Sequence, residues 1–319
     1  TKGKYEELEV VGPLGEKVLA RYGILEGDIA VIEMAAASGL TLIDDDQLNP
    51  LITTTYGTGQ LIKSAMEKGI QKIYVGLGGS ATNDGGVGMA QALGISFKDK
   101  QGNEIGYGGG ELDKLWEIDS SNIHPLLKET QIMVISDVEN PLCGPEGASK
   151  IFGPQKGASE ENVEVLDNNL RHLGEKIKDF IGKDIINLPG AGAAGGLGGG
   201  LIAFCNASIQ SGIDKVLDIT NIDQHLKGAN LVITGEGKID GQSIFGKVPV
   251  GVAKRAKKYG IPVIAIVGSV GKGADKVYDY GVDLIIDIIN KPMSLKYAIE
   301  NVSSLIESAA IIAIRAFKL

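Results

Sequence analysis

The chain is poor in the residues that most metal, redox and nucleic-acid functions need. Its 319 residues include two cysteines, three histidines and one tryptophan, and aromatics make up 5%. Cys143 and Cys205 stand far apart, so no disulfide framework is expected, and reduced thiols in a cytoplasmic setting are. His124, His172 and His225 lack ligand spacing to one another or to a cysteine, which argues against a zinc site. Positive charge is also short: 31 Lys and Arg against 40 Asp and Glu give a net charge of −9. That balance argues against nucleic acid and anionic membrane as partners, because both call for a cationic face. The acidic residues are spread along the chain and read as a solvated surface. No apolar run reaches the length of a membrane span, and 261–267 and 309–314 are core-sized.

What the chain has in excess is glycine, 46 residues, roughly twice ordinary usage. With 43% hydrophobic and 22% charged residues, it reads as a globular chain long enough for two domains. The most informative glycines lie in 76–88. An apolar run, Ile73-Tyr74-Val75, leads into Gly76-Leu77-Gly78-Gly79-Ser80-Ala81-Thr82-Asn83-Asp84-Gly85-Gly86, and 87–93 reads as a helix stopped by Gly94. A strand, a glycine-rich turn and a helix start form an anion-binding device, because backbone N–H groups can reach phosphate oxygens. Ser80, Thr82, Asn83 and Asp84 add polar groups suited to a sugar-like hydroxyl or a metal-bound phosphate. The plainer reading is a tight turn with Asn or Asp as helix cap.

Around this stretch the first sixty residues suggest an antiparallel meander, with strands at 8–11, 18–23 and 29–33. Helical periodicity follows at 58–68 and 160–181, a strand at 131–136, and a helix at 201–211. From about residue 230 the pattern becomes βαβαβα, with buried parallel strands at 231–234, 262–267 and 283–287 and helices at 250–259, 274–280 and 295–317. The expected fold is therefore α/β in two domains: a larger mixed domain over 1–225 and a doubly wound parallel domain over 226–319. Three strands make a thin sheet for the second, which reads as incomplete.

Other motifs carry chemistry less directly. Thr234-Gly235-Glu236-Gly237-Lys238-Ile239-Asp240-Gly241-Gln242-Ser243 follows a predicted strand, and ligands of open α/β sheets bind at such carboxyl ends. Glu236 and Asp240 suit Mg²⁺, which takes one or two carboxylates plus phosphate oxygens. The run 241–247 spells GxxxxGK, but Val248 stands where a Walker A loop has a hydroxyl, leaving Lys247 as a lone phosphate-binding charge. A capped turn with surface carboxylates is the alternative. Gly190, Gly192 and Gly195 match GxGxxG without its strand or its acidic residue, so the cluster reads as a wall of a phosphate or substrate pocket. A dinucleotide-dependent oxidoreductase rests on that match alone and requires tight NAD binding. Asp137 ends a strand and suits a metal ligand, a base or an Asx turn. Lys156 offers a cation to a carboxylate or phosphate, or is solvated. Cys143 has no neighbouring histidine and is not expected to act as a nucleophile.

Six stretches together carry a resemblance: NPLITTTYGTG (49–59), GGSATNDGG (78–86), DVENPLCG (137–144), FGPQKGA (152–158), PGAGAAGGLGGGL (189–201) and TGEGKIDGQSIFGKVP (234–249). In order and across the whole chain, they resemble the type I glycerate kinase family. The resemblance implies transfer of the γ-phosphoryl of ATP, with Mg²⁺, to a hydroxyl of D-glycerate. It also implies two α/β domains, one flavodoxin-like, with the active site in the cleft between them. The family's opening DSFKGS-like and ADGGEGT-like turns do not occur in this sequence, which begins on Thr1. A truncated form is therefore expected, its flavodoxin-like sheet pairing an open edge with another chain, for example in a homodimer.

On this reading Asp84, Asp137, Asp240 and Lys247 are the candidate catalytic residues, and Glu236 with Asp240 the metal ligands. Gly78, Gly79, Ser80, Thr82, Asn83, Gly85, Gly86, Gly190, Gly192, Gly195, Gly235, Lys238 and Ser243 are the candidate substrate or phosphate contacts. The rival reading is a truncated, non-catalytic protein that holds nucleotide or glycerate without turnover.

Overall fold

The computed structural model describes residues 2–210, 212–244 and 246–318, and the chain divides into two compact units, 1–210 and 211–319. The first unit is built on a six-stranded sheet. Strands β1 (Lys4–Val11), β2 (Lys17–Leu25) and β3 (Ile29–Glu33) form the expected antiparallel meander. From β3 the pairing turns parallel through β4 (Lys72–Gly76). A short antiparallel pair, β5 (Ser96–Lys98) and β6 (Glu117–Asp119), stands apart, and β7 (Gln131–Ile135) and β8 (Ser208–Gln210) complete the sheet in the order β1-β2-β3-β4-β7-β8. The pairs β5–β6 and β8 were not foreseen; at three residues each they are too short to show a period.

Helices α1 (Ala35–Ser38), α2 (Tyr56–Glu67), α3 (Val87–Ala92), α4 (Ala148–Phe152), α5 (Glu160–Ile181) and α6 (Leu197–Cys205) join these strands. Helix α5 follows its sequence residue for residue. Ser159 accepts a hydrogen bond from Asn162 N–H at 3.2 Å, Glu160 and Glu161 sit in the first turn, and Gly182 ends the helix at φ +78°. Val163, Leu166, Leu170, Leu173 and Ile177 form its buried face. The helix expected at 201–211 instead runs over Leu197–Cys205 and is followed by β8; Ser211 lies outside the described residues.

In the second unit the three parallel strands β9 (Val232–Glu236), β10 (Val263–Val267) and β11 (Leu284–Asp287) pair in the order β11-β10-β9. Every residue of β10 is buried, as a central strand covered on both faces requires. Helices α7 (Gly212–Ile219), α8 (Ile222–Leu226) and α9 (Val248–Lys257) lie on one face, and α10 (Leu295–Glu300) and α11 (Val302–Phe317) on the other. The break at Asn301 divides what the periodicity suggested was one helix, and 274–280 is a 3₁₀ rather than an α turn.

The boundary falls after Gln210 rather than near residue 226. The reason is local packing of α7 and α8 on α9. Ile213 fills the space over Gly251, where a Cβ would come within 2.2 Å of it, and Arg255 pairs with Asp218 and Asp223. Helix α11 meets the sheet through the narrow stripe Leu305, Ala309 and Ala313. Enlarging Ala313 to leucine overpacks that stripe, and urea unfolding of the Ala313→Leu variant is expected to show a loss of about 1–3 kcal/mol.

Candidate functional site

Parallel pairing fixes what meets at the carboxyl end of the first sheet. Glu33 pairs with Gly76, and Gly76 with Ile135, so Glu33, the loop 77–86 and Asp137 leave adjacent strands at one end. Ligands of α/β sheets bind at such ends. Gly78, Gly79, Glu33 and Asp137 are exposed there, whereas Ser80, Thr82, Asn83, Asp84, Gly85 and Gly86 are buried. Open space surrounds the position of a Cβ at Gly78, and Gly79 adopts φ +73°. The accessible lip of the loop is thus two glycines, able to bring backbone N–H groups to an anion.

Beneath the lip lies a polar knot around Asp84. Its carboxylate accepts from Thr55 N–H and Thr55 Oγ1, both at 2.8 Å, from Gly86 N–H at 3.0 Å and from Gly88 N–H at 3.2 Å. Burial pushes the Asp84 carboxyl above its ordinary range, and these four donors pull it back. Three of them are backbone N–H groups that cannot accept, so the pocket is shaped for the carboxylate. Asp84, expected to act on substrate or metal, binds the start of α2 to that of α3 and sets the loop's shape.

The knot has further ties that the sequence reading missed. Thr55 Oγ1 accepts from Met89 N–H at 2.9 Å, Thr53 Oγ1 donates to the Ala81 carbonyl at 2.9 Å, and Asn83 Nδ2 donates to Ser149 Oγ at 3.0 Å. Thr53, Thr54, Thr55 and Thr58 are all wholly buried. Their only signal was the run TTTYGT in a motif given no role, and hydroxyls in a polar run usually face water. Lys156, whose solvated reading the structure corrects, is 2% exposed and donates to the Thr82 carbonyl at 2.7 Å. Burial pulls its ammonium down to about 7 against the opposing pull of Asp84.

The second glycine cluster is likewise not a pocket wall. Residues 190–200 are all buried. Gly85 N–H donates to the Gly195 carbonyl at 3.0 Å, and a Cβ on Gly195 would stand 2.0 Å from the Thr82 carbonyl oxygen. At Gly192 the obstacle is the Pro141 carbonyl at 2.2 Å, and at Gly190, φ +82°, it is Ile209. These glycines allow close approach of their neighbours, and Gly195 buttresses the 82–86 turn from behind.

In the second unit, β9 delivers Glu236 to its carboxyl end. Lys247 pairs with Glu236 at 3.4 Å and Lys238 with Asp240 at 3.2 Å. Hydrogen bonding from Gln242 N–H, then Lys238, holds the Asp240 carboxyl below its ordinary range. Ser243 is fully buried, and its Oγ accepts from Asp240 N–H at 3.0 Å, so it shapes the turn rather than meeting a ligand. Gly235 is a strand residue whose Cβ would approach the Ile266 carbonyl at 2.8 Å. Glu236 Oε2 is buried and has no hydrogen-bond partner. A hard anionic oxygen in that state fits a divalent cation such as Mg²⁺. Among the described residues no three His, Cys, Asp or Glu side chains converge on a metal position. Any Mg²⁺ here therefore draws its other ligands from phosphate and water. Among the described residues no helix is long and apolar enough to cross a membrane.

Replacing Thr55 by the isosteric valine leaves Asp84 short of a donor and Met89 N–H without its acceptor. Denaturant unfolding of Thr55→Val is expected to show a loss of about 1–3 kcal/mol.

Comparison with known proteins agrees with this fold. The sequence profile of the glycerate kinase family matches residues 1–318. A glycerate 2-kinase of Escherichia coli K12 is 53% identical over 290 residues, covering 91% of this chain and 76% of its own. A glycerate kinase of Halalkalibacterium halodurans is 49% identical over 311 residues, covering 97% and 82%. A crystal structure from Salmonella typhimurium LT2, itself assigned only provisionally as glycerate kinase 2, superposes with a TM-score of 0.83. It is 45% identical, and the match covers 99% of this chain and 84% of that one. The order of strands, the glycine loop at the sheet's end and these likenesses place the chain in the glycerate kinase family.

Proposed function

We propose that the chain is a glycerate kinase, transferring the γ-phosphoryl of ATP to a hydroxyl of D-glycerate in the cytoplasm, where its two buried thiols stay reduced. The observation that carries the reading is the exposed Gly78-Gly79 lip, held rigid by the buried knot beneath it. Phosphoryl transfer depends mostly on positioning and on charge stabilisation. A preorganised backbone lip at the carboxyl end of the sheet supplies the first. The relative named as a glycerate 2-kinase supports the 2-hydroxyl as acceptor.

Asp137, exposed beyond β7, takes the proton from the acceptor hydroxyl as its oxygen forms a bond to the γ-phosphorus. The bond from that phosphorus to the β–γ bridging oxygen breaks, and ADP leaves with the electron pair. In the second unit Glu236 and Asp240 would hold Mg²⁺, which would neutralise charge on phosphate oxygens bound at that turn. Lys238 and Lys247 keep cationic charge beside those carboxylates.

The test is coupled ADP release with ATP, Mg²⁺ and D-glycerate, with ³¹P NMR to separate 2- from 3-phosphoglycerate. Glycerate-dependent ADP release and the 2-phosphate are expected; ADP release that ignores glycerate would overturn the assignment. In the same assay Asp137→Asn should lower kcat about 10²- to 10⁴-fold with the fold intact by circular dichroism. Glu236→Gln, which removes an anionic ligand, should raise the Mg²⁺ concentration for half-maximal rate at least about tenfold.

A further inference from the structure

Lys156 combines features that solvated loop lysines lack. It closes the 3₁₀ turn Pro154–Lys156, and its side chain is buried to 2% exposure. Burying an ammonium is expensive unless it is paired. It does not sit in an ion pair of ordinary contact: its Nζ donates to a backbone carbonyl, that of Thr82, at 2.7 Å. The charge acting on it is the buried Asp84, two residues further along the same loop. The neighbouring elements carry their own charges outward. Lys150 of α4 pairs with Glu164 of α5, and Asp44, Asp45 and Asp46, in the segment that reaches Leu48 beside Gly157, face solvent.

The geometry around the lysine is that of a clamp. The Ala81 carbonyl is held by Thr53 and the Thr82 carbonyl by Lys156, so two consecutive peptide units are fixed by side chains from two distant parts of the chain. The Thr82 carbonyl is also the atom that excludes any side chain at Gly195. Before these peptides, across Ser80, stand Gly78 and Gly79, which have no side chains and are held on their other flank by Leu40 N–H donating to the Gly79 carbonyl at 2.9 Å. Resting on the glycerate kinase reading, we propose that Lys156 is a positioning residue for phosphoryl transfer, holding the Thr82 carbonyl and balancing the Asp84 carboxylate so that the Gly78-Gly79 lip keeps its phosphate-receiving shape.

A lysine kept for packing alone and one kept for its charge respond differently to substitution and to pH. Lys156→Met keeps length and apolar volume without donor or charge, and Lys156→Gln keeps a donor without charge. Wild type is assayed first; absence of glycerate-dependent ADP release there would sink the functional reading and leave this one unaddressed by kinetics, so thermal unfolding is recorded in parallel. In an active wild type, both variants are expected to fold, with kcat lowered at least about tenfold. The wild-type-to-variant rate ratio should fall as pH rises through about 7, because the ammonium gives up its charge there and the variants have none to lose. Unfolding gives the second readout. A lysine of lowered pKa binds its proton more weakly in the folded than in the unfolded chain, so wild-type stability should gain on that of Lys156→Gln between pH 7 and 10. Variant rates within twofold of wild type, or a rate ratio flat from pH 6 to 9, would overturn the proposal. If Lys156→Met fails to fold, Lys156→Gln decides by the same criteria. A stability difference that does not vary with pH would also count against it.

Discussion

The first unit depends on one buried carboxylate. Asp84 gathers four donors from two stretches of chain, at Thr55 and at Gly86 and Gly88, and thereby fixes where α2 begins, where α3 begins and how the loop before α3 turns. An acid in such a place has high leverage. With its donors present it is satisfied and rigid, and with one removed it becomes a desolvated charge whose cost falls on the whole turn. The buried threonines and Lys156 follow from this. They are the polar company that a buried carboxylate and two inward-facing carbonyls require.

Close approach is the second constraint, and glycine is its means. The turn 82–86 and the cluster 190–200 touch through backbone atoms, at distances that leave no room for a methyl group at Gly195, Gly196 or Gly200. This accounts for a composition that would otherwise suggest flexibility. The glycines of 190–200 are buried, and no side chain on them holds this cluster away from the 82–86 backbone.

Much of this architecture was legible in the sequence where local and tertiary preferences agree. The helix Glu160–Ile181 announced itself by Ser159, its acidic first turn, its apolar spacing and Gly182, and the parallel strands after residue 230 by continuous β-branched runs. Reading failed where packing overrides propensity. Gly198, Gly199 and Gly200 lie inside α6, against their intrinsic preference, because that helix is pressed close on three sides, by Gly190 at Gly198, by Ile185 and Ala191 at Gly199, and by Gly85 and Gly86 at Gly200. Candidate site residues divide along the same line. Gly78, Gly79 and Asp137 stand at an open sheet end and Glu236, Lys238, Asp240 and Lys247 line one turn, as their strand-end positions implied. Asp84, Ser243 and the glycines at 190–195 are polar or small residues that a sequence shows near a ligand loop, without showing on which side of it they stand. Lys156 and Thr55 stood in motifs that marked them, but their burial was not legible, since burial of a lysine or a threonine is decided by residues far away.

The contact between Gly85 and Gly195 also bears on how the molecule acquires its shape. Between the two positions lie α3, β5, β6, β7, α4 and α5, so the buttress closes a long loop. Contacts of such separation are closed late, since their loop entropy must be met before they return any stabilisation. Until that contact closes, Gly85 N–H lacks its native acceptor, so the loop behind the glycine lip is completed later than the strand that carries it.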